Sequence, residues 1–299
     1  MTFTRTPAGL SNQYLFWRVD ALVFVEGGQH TYSLSQVEAG SFGSQSIDIL
    51  FWQSLFRCFL PNRKFQFRAV GSKATLTQIA RYIESGTVSH VFAAMDRNHD
   101  RINNRLIQAP GVFYTYGYSW ENDILHAGLV TQLFVSMCSV SLNGVHFRTE
   151  IDSFYHSFAR DMRWPVYADA LLSRFDATLL PRDSPEMIIT LDSRAKPSID
   201  RNRISALIQH AQKVKAQRGS TYLLTPRFTC CPHGDCFGRL VSAYFYRVLT
   251  YMLKTHSNVP SLPKYYAWSM AINTFIHQLH SQPAGPHFQH YSTLFSALP

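Results

Sequence analysis

The sequence predicts an α/β protein: a mainly parallel sheet flanked by helices, with a largely helical C-terminal extension. Three observations lead there. Short, unbroken apolar runs (D-A-L-V-F-V over Asp20 to Val25, H-V-F-A-A-M over His90 to Met95) mark strands buried on both faces of a parallel sheet. Segments between the runs carry apolar residues at helical spacing. Across the 299 residues, hydrophobic residues make up 46%, aromatics 14% and charged residues only 16%. That composition builds a core and excludes a disordered tail or a collagen-like chain.

The elements follow in order. Tyr14 to Arg18 is a short aromatic segment. The first strand, Asp20 to Val25, stops at Glu26-Gly27-Gly28. Ser46 to Phe59 places Ile47, Leu50, Phe51, Leu55 and Phe59 on one helical face, and Pro61-Asn62 ends it. Phe65, Phe67 and Ala69 alternate with polar residues into a second strand that ends at Val70-Gly71. Thr75 to Ile83 is a short helix. The third strand, His90 to Met95, runs into Asp96-Arg97-Asn98-His99-Asp100. A fourth, Gly111 to Tyr116, precedes Ser119-Trp120-Glu121-Asn122 and a helix over Ile124 to Cys138. This alternation is the pattern of a parallel sheet. Beyond about residue 150 the reading is helical: Asp152 to Met162, Tyr167 to Phe175, a basic helix from Ile199 to Arg218, and Gly238 to Leu253. A linker falls at Pro181 to Pro185, one more strand at Met187 to Leu191, and the last residues are Pro- and His-rich. The expected organisation is an α/β domain over 1–150 and a basic, mainly helical extension over 151–299.

Charge sharpens that division. Lys and Arg number 28 against 19 Asp and Glu, a net +9. Residues 1–150 hold 12 basic and 10 acidic residues; the rest hold 16 and 9. Arg194, Lys196, Arg201, Arg203, Lys213, Lys215, Arg218 and Arg227 face only Asp200 within their segment. A polyanion, nucleic acid first, suits such a surface; a solvated helix face is the plain alternative. No secretory leader is read in Met1 to Ser11, and no run reaches the roughly 18 apolar residues of a membrane span. Five scattered Cys in a chain of this size read as reduced thiols in a cytoplasm.

Chemistry gathers where strands end. In parallel α/β sheets ligands sit at the carboxyl ends of the strands, and here those ends carry Glu26, Lys73, Asp96 and, after the fourth strand, Glu121. Asp96, Asn98 and Asp100 supply hard oxygen donors at alternate positions, which suits Mg²⁺. Separate acidic groups at one sheet edge are how a metal-dependent phosphoryl-transfer site is assembled. Each group also has an ordinary explanation: Glu26 as a helix cap, Asp96 and Asp100 as turn residues, Lys73 as a solvated side chain.

V-F-V-E-G-G, A-V-G-S-K, V-F-A-A-M-D-R-N-H-D and Y-S-W-E-N-D-I, in that order, resemble the TOPRIM (topoisomerase–primase) domain. More narrowly, they resemble the TOPRIM-type effector nucleases of the PARIS bacterial phage-defence system. The resemblance covers about residues 14–140. It implies a Mg²⁺- or Mn²⁺-dependent nuclease in which Glu26 is the general acid/base and metal neighbour, with Lys73 on a phosphate oxygen. Asp96 begins a D-x-D motif whose second position is Asn98, a departure that Asp100 would have to make good, and Glu121 belongs to the family's late E-N pair with Asn122. It also implies a toxin held silent by an AriA-like ABC-class ATPase and released when a phage anti-restriction protein triggers the complex. Freed chains pair as a homodimer and cut host tRNA.

Other readings stay open. A non-catalytic nucleic-acid-binding subunit with a degenerate TOPRIM site fits Asn98. A primase or topoisomerase lacks a tyrosine context and a zinc-ribbon spacing here. G-S-K lacks the glycines of a Walker A loop. Cys230, Cys231, His233 and Cys236 fit either a zinc site, with a fourth ligand such as His210, or a reduced turn.

Overall fold

The computed structural model of the chain describes residues 7–138, 144–190, 195–217, 229–257, 259 and 262–298. In chain order its elements are α1 (Pro7–Ser11), α2 (Gln13–Trp17), β1 (Ala21–Val25), α3 (Leu34–Glu38), α4 (Ile47–Phe59), β2 (Phe65–Ala69), α5 (Lys73–Glu84), β3 (Val91–Met95), α6 (Asp100–Asn103), β4 (Val112–Tyr114), α7 (Trp120–Ile124), α8 (Ala127–Met137), α9 (Gly144–Leu172), 3₁₀ turns at Ser173–Phe175 and Pro185–Ile188, α10 (Arg201–Gln217), α11 (Gly238–His256), α12 (Lys264–Ser281) and α13 (Pro286–Ser296). The strands form one all-parallel sheet in the order β2-β1-β3-β4. Among the described residues no helix is long and apolar enough to cross a membrane.

The chain forms two compact units that interleave in sequence: Met1–Arg97 with Leu106–Tyr116 and Ile272–Pro299, and Asn98–Arg105 with Gly117–Ala271. This differs from a single boundary at residue 150, because the segment from Ile272 returns to the sheet-bearing unit.

In the first unit, β1 is central and every one of its residues is buried. Strand side chains alternate between faces. Leu22, Phe24, Ala93, Met95, Val112 and Tyr114 pack with Leu76, Ile79 and Ala80 of α5 and Val37 of α3. The opposite face is aromatic. Phe56 of α4 lies 5.4 Å from the ring of Phe67, 4.9 Å from Phe113 and 4.9 Å from Phe295 of α13. Phe59 stacks on Phe295 and Phe51 on Phe275, while Trp52 meets Tyr291 edge-on. Residues 272–299 contain no Asp, Glu, Lys or Arg, as befits a segment whose function in this unit is burial. Each fully buried ring of this kind stabilises by about 1.5–3 kcal/mol. Much of the aromatic surplus is therefore core.

The second unit is helical. Phe154, Phe158, Met162, Val166 and Ala170 form a buried stripe at i, i+4 spacing along α9, which carries the helix through Pro165. The sequence predicts two helices here, Asp152 to Met162 and Tyr167 to Phe175; the structure joins them, although a proline inside a helix removes one hydrogen bond. Tyr155 stacks on Phe245 of α11 at 3.8 Å. The expected helix over Ile124 to Cys138 is two helices, with His126 capping α8 through Leu129 N–H at 3.2 Å. The strand expected over Met187 to Leu191 is instead a 3₁₀ turn followed by one antiparallel bridge, Ile189 to Ile199; Leu191 lies outside the described residues.

Candidate functional site

A strand order of 2-1-3-4 reverses direction between β1 and β3, where ligands collect at the carboxyl edge of parallel sheets. Glu26 is the first residue after β1 and Asp96 the first after β3. Register pairs Val25 with Ala94, so the two carboxylate-bearing residues leave the sheet side by side. The Asp96 backbone N–H donates to Glu26 Oε2 at 3.2 Å, and Lys73 Nζ donates to the Asp96 carbonyl at 2.7 Å. The backbone of one residue, Asp96, is thus held at its N–H and at its carbonyl by two side chains that the sequence singles out. All three residues are half-buried.

The loops around them fit closely. Gly71 N–H donates to the Gly27 carbonyl at 3.2 Å, and Tyr32 N–H to Val70 at 3.0 Å. Gly71 has φ +68°, and a β-carbon there would fall 1.9 Å from the His30 carbonyl oxygen, so glycine is required. Ser72 then caps α5, and Lys73 is its first residue. Lys73, which the family resemblance sets on a phosphate oxygen, here donates from its ammonium to the Asp96 carbonyl. One acidic residue escaped the sequence reading. A β-carbon at Gly27 would lie 1.8 Å from Asp48 Oδ2, so the Asp48 carboxylate is pressed against the residue next to Glu26. Its signal was the glycine itself, since Asp48 in the first turn of α4 reads as an ordinary helix-start acid.

Asn98, Asp100 and Glu121 belong to the second unit. Asn98 has φ +50° and donates its N–H to the Tyr118 carbonyl at 2.7 Å. That left-handed backbone is one asparagine adopts readily, which gives the departure from D-x-D a conformational reason. Asp100 opens the one-turn helix α6. Glu121 is 9% exposed, and its Oε2 lies 2.7 Å from where a Gly238 β-carbon would be, at the start of α11. Asn122, its partner in the E-N pair, is wholly structural: its Oδ1 accepts from Ser119 N–H at 3.0 Å and Ser119 Oγ at 2.7 Å, and its Nδ2 donates to the carbonyls of His233 and Cys236. Among the described residues, no three His, Cys, Asp or Glu gather as a metal-holding group. Of the carboxylates expected to hold a metal, Glu26 and Asp96 lie with Lys73 in the first unit and Glu121 lies in the second.

The cysteine-rich run is a hydrogen-bonded turn. Cys231 N–H donates to Asp235 Oδ2 at 2.8 Å, Asp235 N–H returns to the Cys231 carbonyl at 2.8 Å, and His99 bonds the Asp235 carbonyl at 3.0 Å. His233 Nε2 meets the Tyr155 carbonyl at 3.1 Å, and its ring stacks on Phe158. Burial lowers its pKa to about 4 and pushes the Cys230 thiol up to about 12.

The basic segment is partly occupied. Arg201 pairs with Asp161 Oδ1 at 2.7 Å, and Arg203 with Asp200 at 3.3 Å and with the Met187 carbonyl. Lys196 is exposed. Lys213 and Lys215 lie in α10; Arg194, Arg218 and Arg227 lie outside the described residues. No model of a known protein family matches this chain, and no curated protein matches it.

Proposed function

We propose that the chain is a metal-dependent endoribonuclease, hydrolysing phosphodiester bonds from the strand-end site at Glu26 and Asp96. The observation that carries the reading is the pairing of these carboxylate-bearing residues at the reversal of strand order, joined by the Asp96 N–H to Glu26 bond. Mg²⁺ ordinarily takes one or two protein carboxylates and keeps several waters, so this donor set fits it. Glu26 and Asp96 would hold the ion, which supplies charge stabilisation at the phosphoryl group. Glu26 is the proton-handling carboxylate, and Lys73 keeps Asp96 in place. The basic residues Lys196, Arg201, Arg203, Lys213 and Lys215 supply salt-dependent, sequence-independent attraction for the nucleic-acid backbone. The TOPRIM resemblance extends the proposal to a cytoplasmic toxin of anti-phage defence that cleaves host tRNA once freed from an ABC-class ATPase.

A second reading, a binding subunit that cuts nothing, draws on two observations: Asn98 in the left-handed backbone and the structural commitment of Asn122. One experiment separates the two. Purified chain is incubated with total tRNA and Mg²⁺ or Mn²⁺, with and without chelator, beside Asp96→Ala. Discrete fragments that vanish with chelator and with Asp96→Ala support the nuclease. Bound but intact tRNA under both metals sinks it and leaves the binding subunit.

A further inference from the structure

Arg68 is a buried cation whose Nε finds no acceptor among the described residues. It sits in β2, an edge strand, with 6% of its surface exposed. Its guanidinium lies 4.3 Å over the Trp17 ring and 4.8 Å over that of Phe42. Its Nε is enclosed and has no hydrogen-bond partner among the described residues. Burial lowers its pKa. Two ring faces offset part of the cost of desolvating a guanidinium, yet its donors call for a carboxylate.

The surroundings say what would bring one. In α2, Leu15 is 60% exposed, Phe16 84% and Trp17 48%. Arg18 and Lys64 beside them are exposed as well, and Asp20 is the acidic neighbour, already accepting Lys64 N–H at 2.6 Å. The edge of β2 is paired only at its last residue, where Gly43 bridges Ala69. An added strand along Phe65 to Arg68 would place its residue opposite Arg68 on the same face, at cross-strand distance. A second copy of this face would meet like charge and hold Arg68 no better.

We propose that the α2–β2 edge is a docking site for an extended segment of another protein, in which an acidic residue flanked by apolar side chains joins the sheet as a fifth strand and pairs with Arg68. Main-chain bonds would supply affinity, and the carboxylate with the Leu15-Phe16-Trp17 surface would supply specificity. The inference stands apart from the nuclease reading.

The test uses the full chain and three fluorescent probes: a short peptide alternating Glu with Val and Phe, its Lys-for-Glu counterpart, and a short single-stranded RNA. Anisotropy titrations are run on wild type, Arg68→Met and Phe16→Ser. Replacing a buried cation by an apolar chain of similar reach is expected to leave the fold intact, which a melting curve checks; Phe16→Ser alters only an exposed ring. The expected result is saturable binding of the acidic peptide alone. It should weaken about tenfold or more in each variant, as loss of a charge-assisted contact predicts. Failure of the acidic peptide to bind overturns the proposal. So does equal binding of the Lys peptide, or RNA binding lost in the same variants. A wild-type dimer that Phe16→Ser dissociates would assign the face to a second copy instead.

Discussion

Two polar motifs of the same type meet opposite fates. After β1 and β3, Glu26 and Lys73 reach across the sheet edge to the backbone of one residue, Asp96. After β4, Ser119 and Asn122 spend their polar atoms on helix capping and on the carbonyls of a turn more than 110 residues away. The first arrangement sets two carboxylate-bearing residues beside one another at a sheet edge; the second ties one stretch of backbone to another. Residue type does not distinguish them. Position does: the strand-order reversal creates the first, while the second lies at the start of a five-residue helix facing α11.

The comparison can be broken by mutation. Glu26→Gln keeps the acceptor for Asp96 N–H but removes the carboxylate, so tRNA cleavage should fall about 10²–10⁴-fold with the melting temperature nearly unchanged. Loss of fold together with activity would put Glu26 among the structural residues. Phe56→Ala opens the aromatic face of the sheet and should cost about 3–5 kcal/mol by denaturant unfolding. Asn122→Asp removes two donors and sets a carboxylate against two carbonyls. It should cost about 2–3 kcal/mol, with cleavage per folded molecule unchanged; a stable but inactive variant would return Asn122 to the site.

Acid sharpens the contrast. His233 is held neutral by burial, with a folded pKa near 4 against 6.5 unfolded. The unfolded chain therefore binds the extra proton first. Stability from this group is whole above pH 6.5, declines as pH falls towards 4, and is lost by up to about 3 kcal/mol below that. Substituting His233→Gln should flatten the unfolding free energy across that window; an unchanged slope would mean that other groups set it. The smallest effect is Asn98→Asp. Asparagine tolerates φ +50° somewhat better, so a stability loss of about 0.5 kcal/mol or less is expected, with cleavage kept or raised.

The strands were legible because a parallel sheet buries both faces and so writes unbroken apolar runs such as D-A-L-V-F-V. Glu26, Lys73 and Asp96 were legible because each stands just past a strand. The fate of Asn122 was not, since its partners at His233 and Cys236 are set by tertiary contacts. The gap expected between Met162 and Tyr167 is closed, because the buried stripe of α9 runs through it. The helix over Pro286–Ser296 was passed over as Pro- and His-rich, although Gly285-Pro286 is a helix start and Phe288, Tyr291 and Phe295 share one face.

The return of Phe295 to Phe56 has a consequence for the order in which the protein is made. These rings meet across 239 positions of sequence, and the whole of Gly117–Ala271 is synthesised between them. The sheet can form early from β1 to β4 with α4 on its aromatic face, but that face is completed only when α13 arrives. Such high contact order makes the last packing step slow, and leaves apolar surface exposed meanwhile. A ribosome stalled before α13 would hold a chain whose strand-end residues are already in place on a sheet whose aromatic face has only part of its cover.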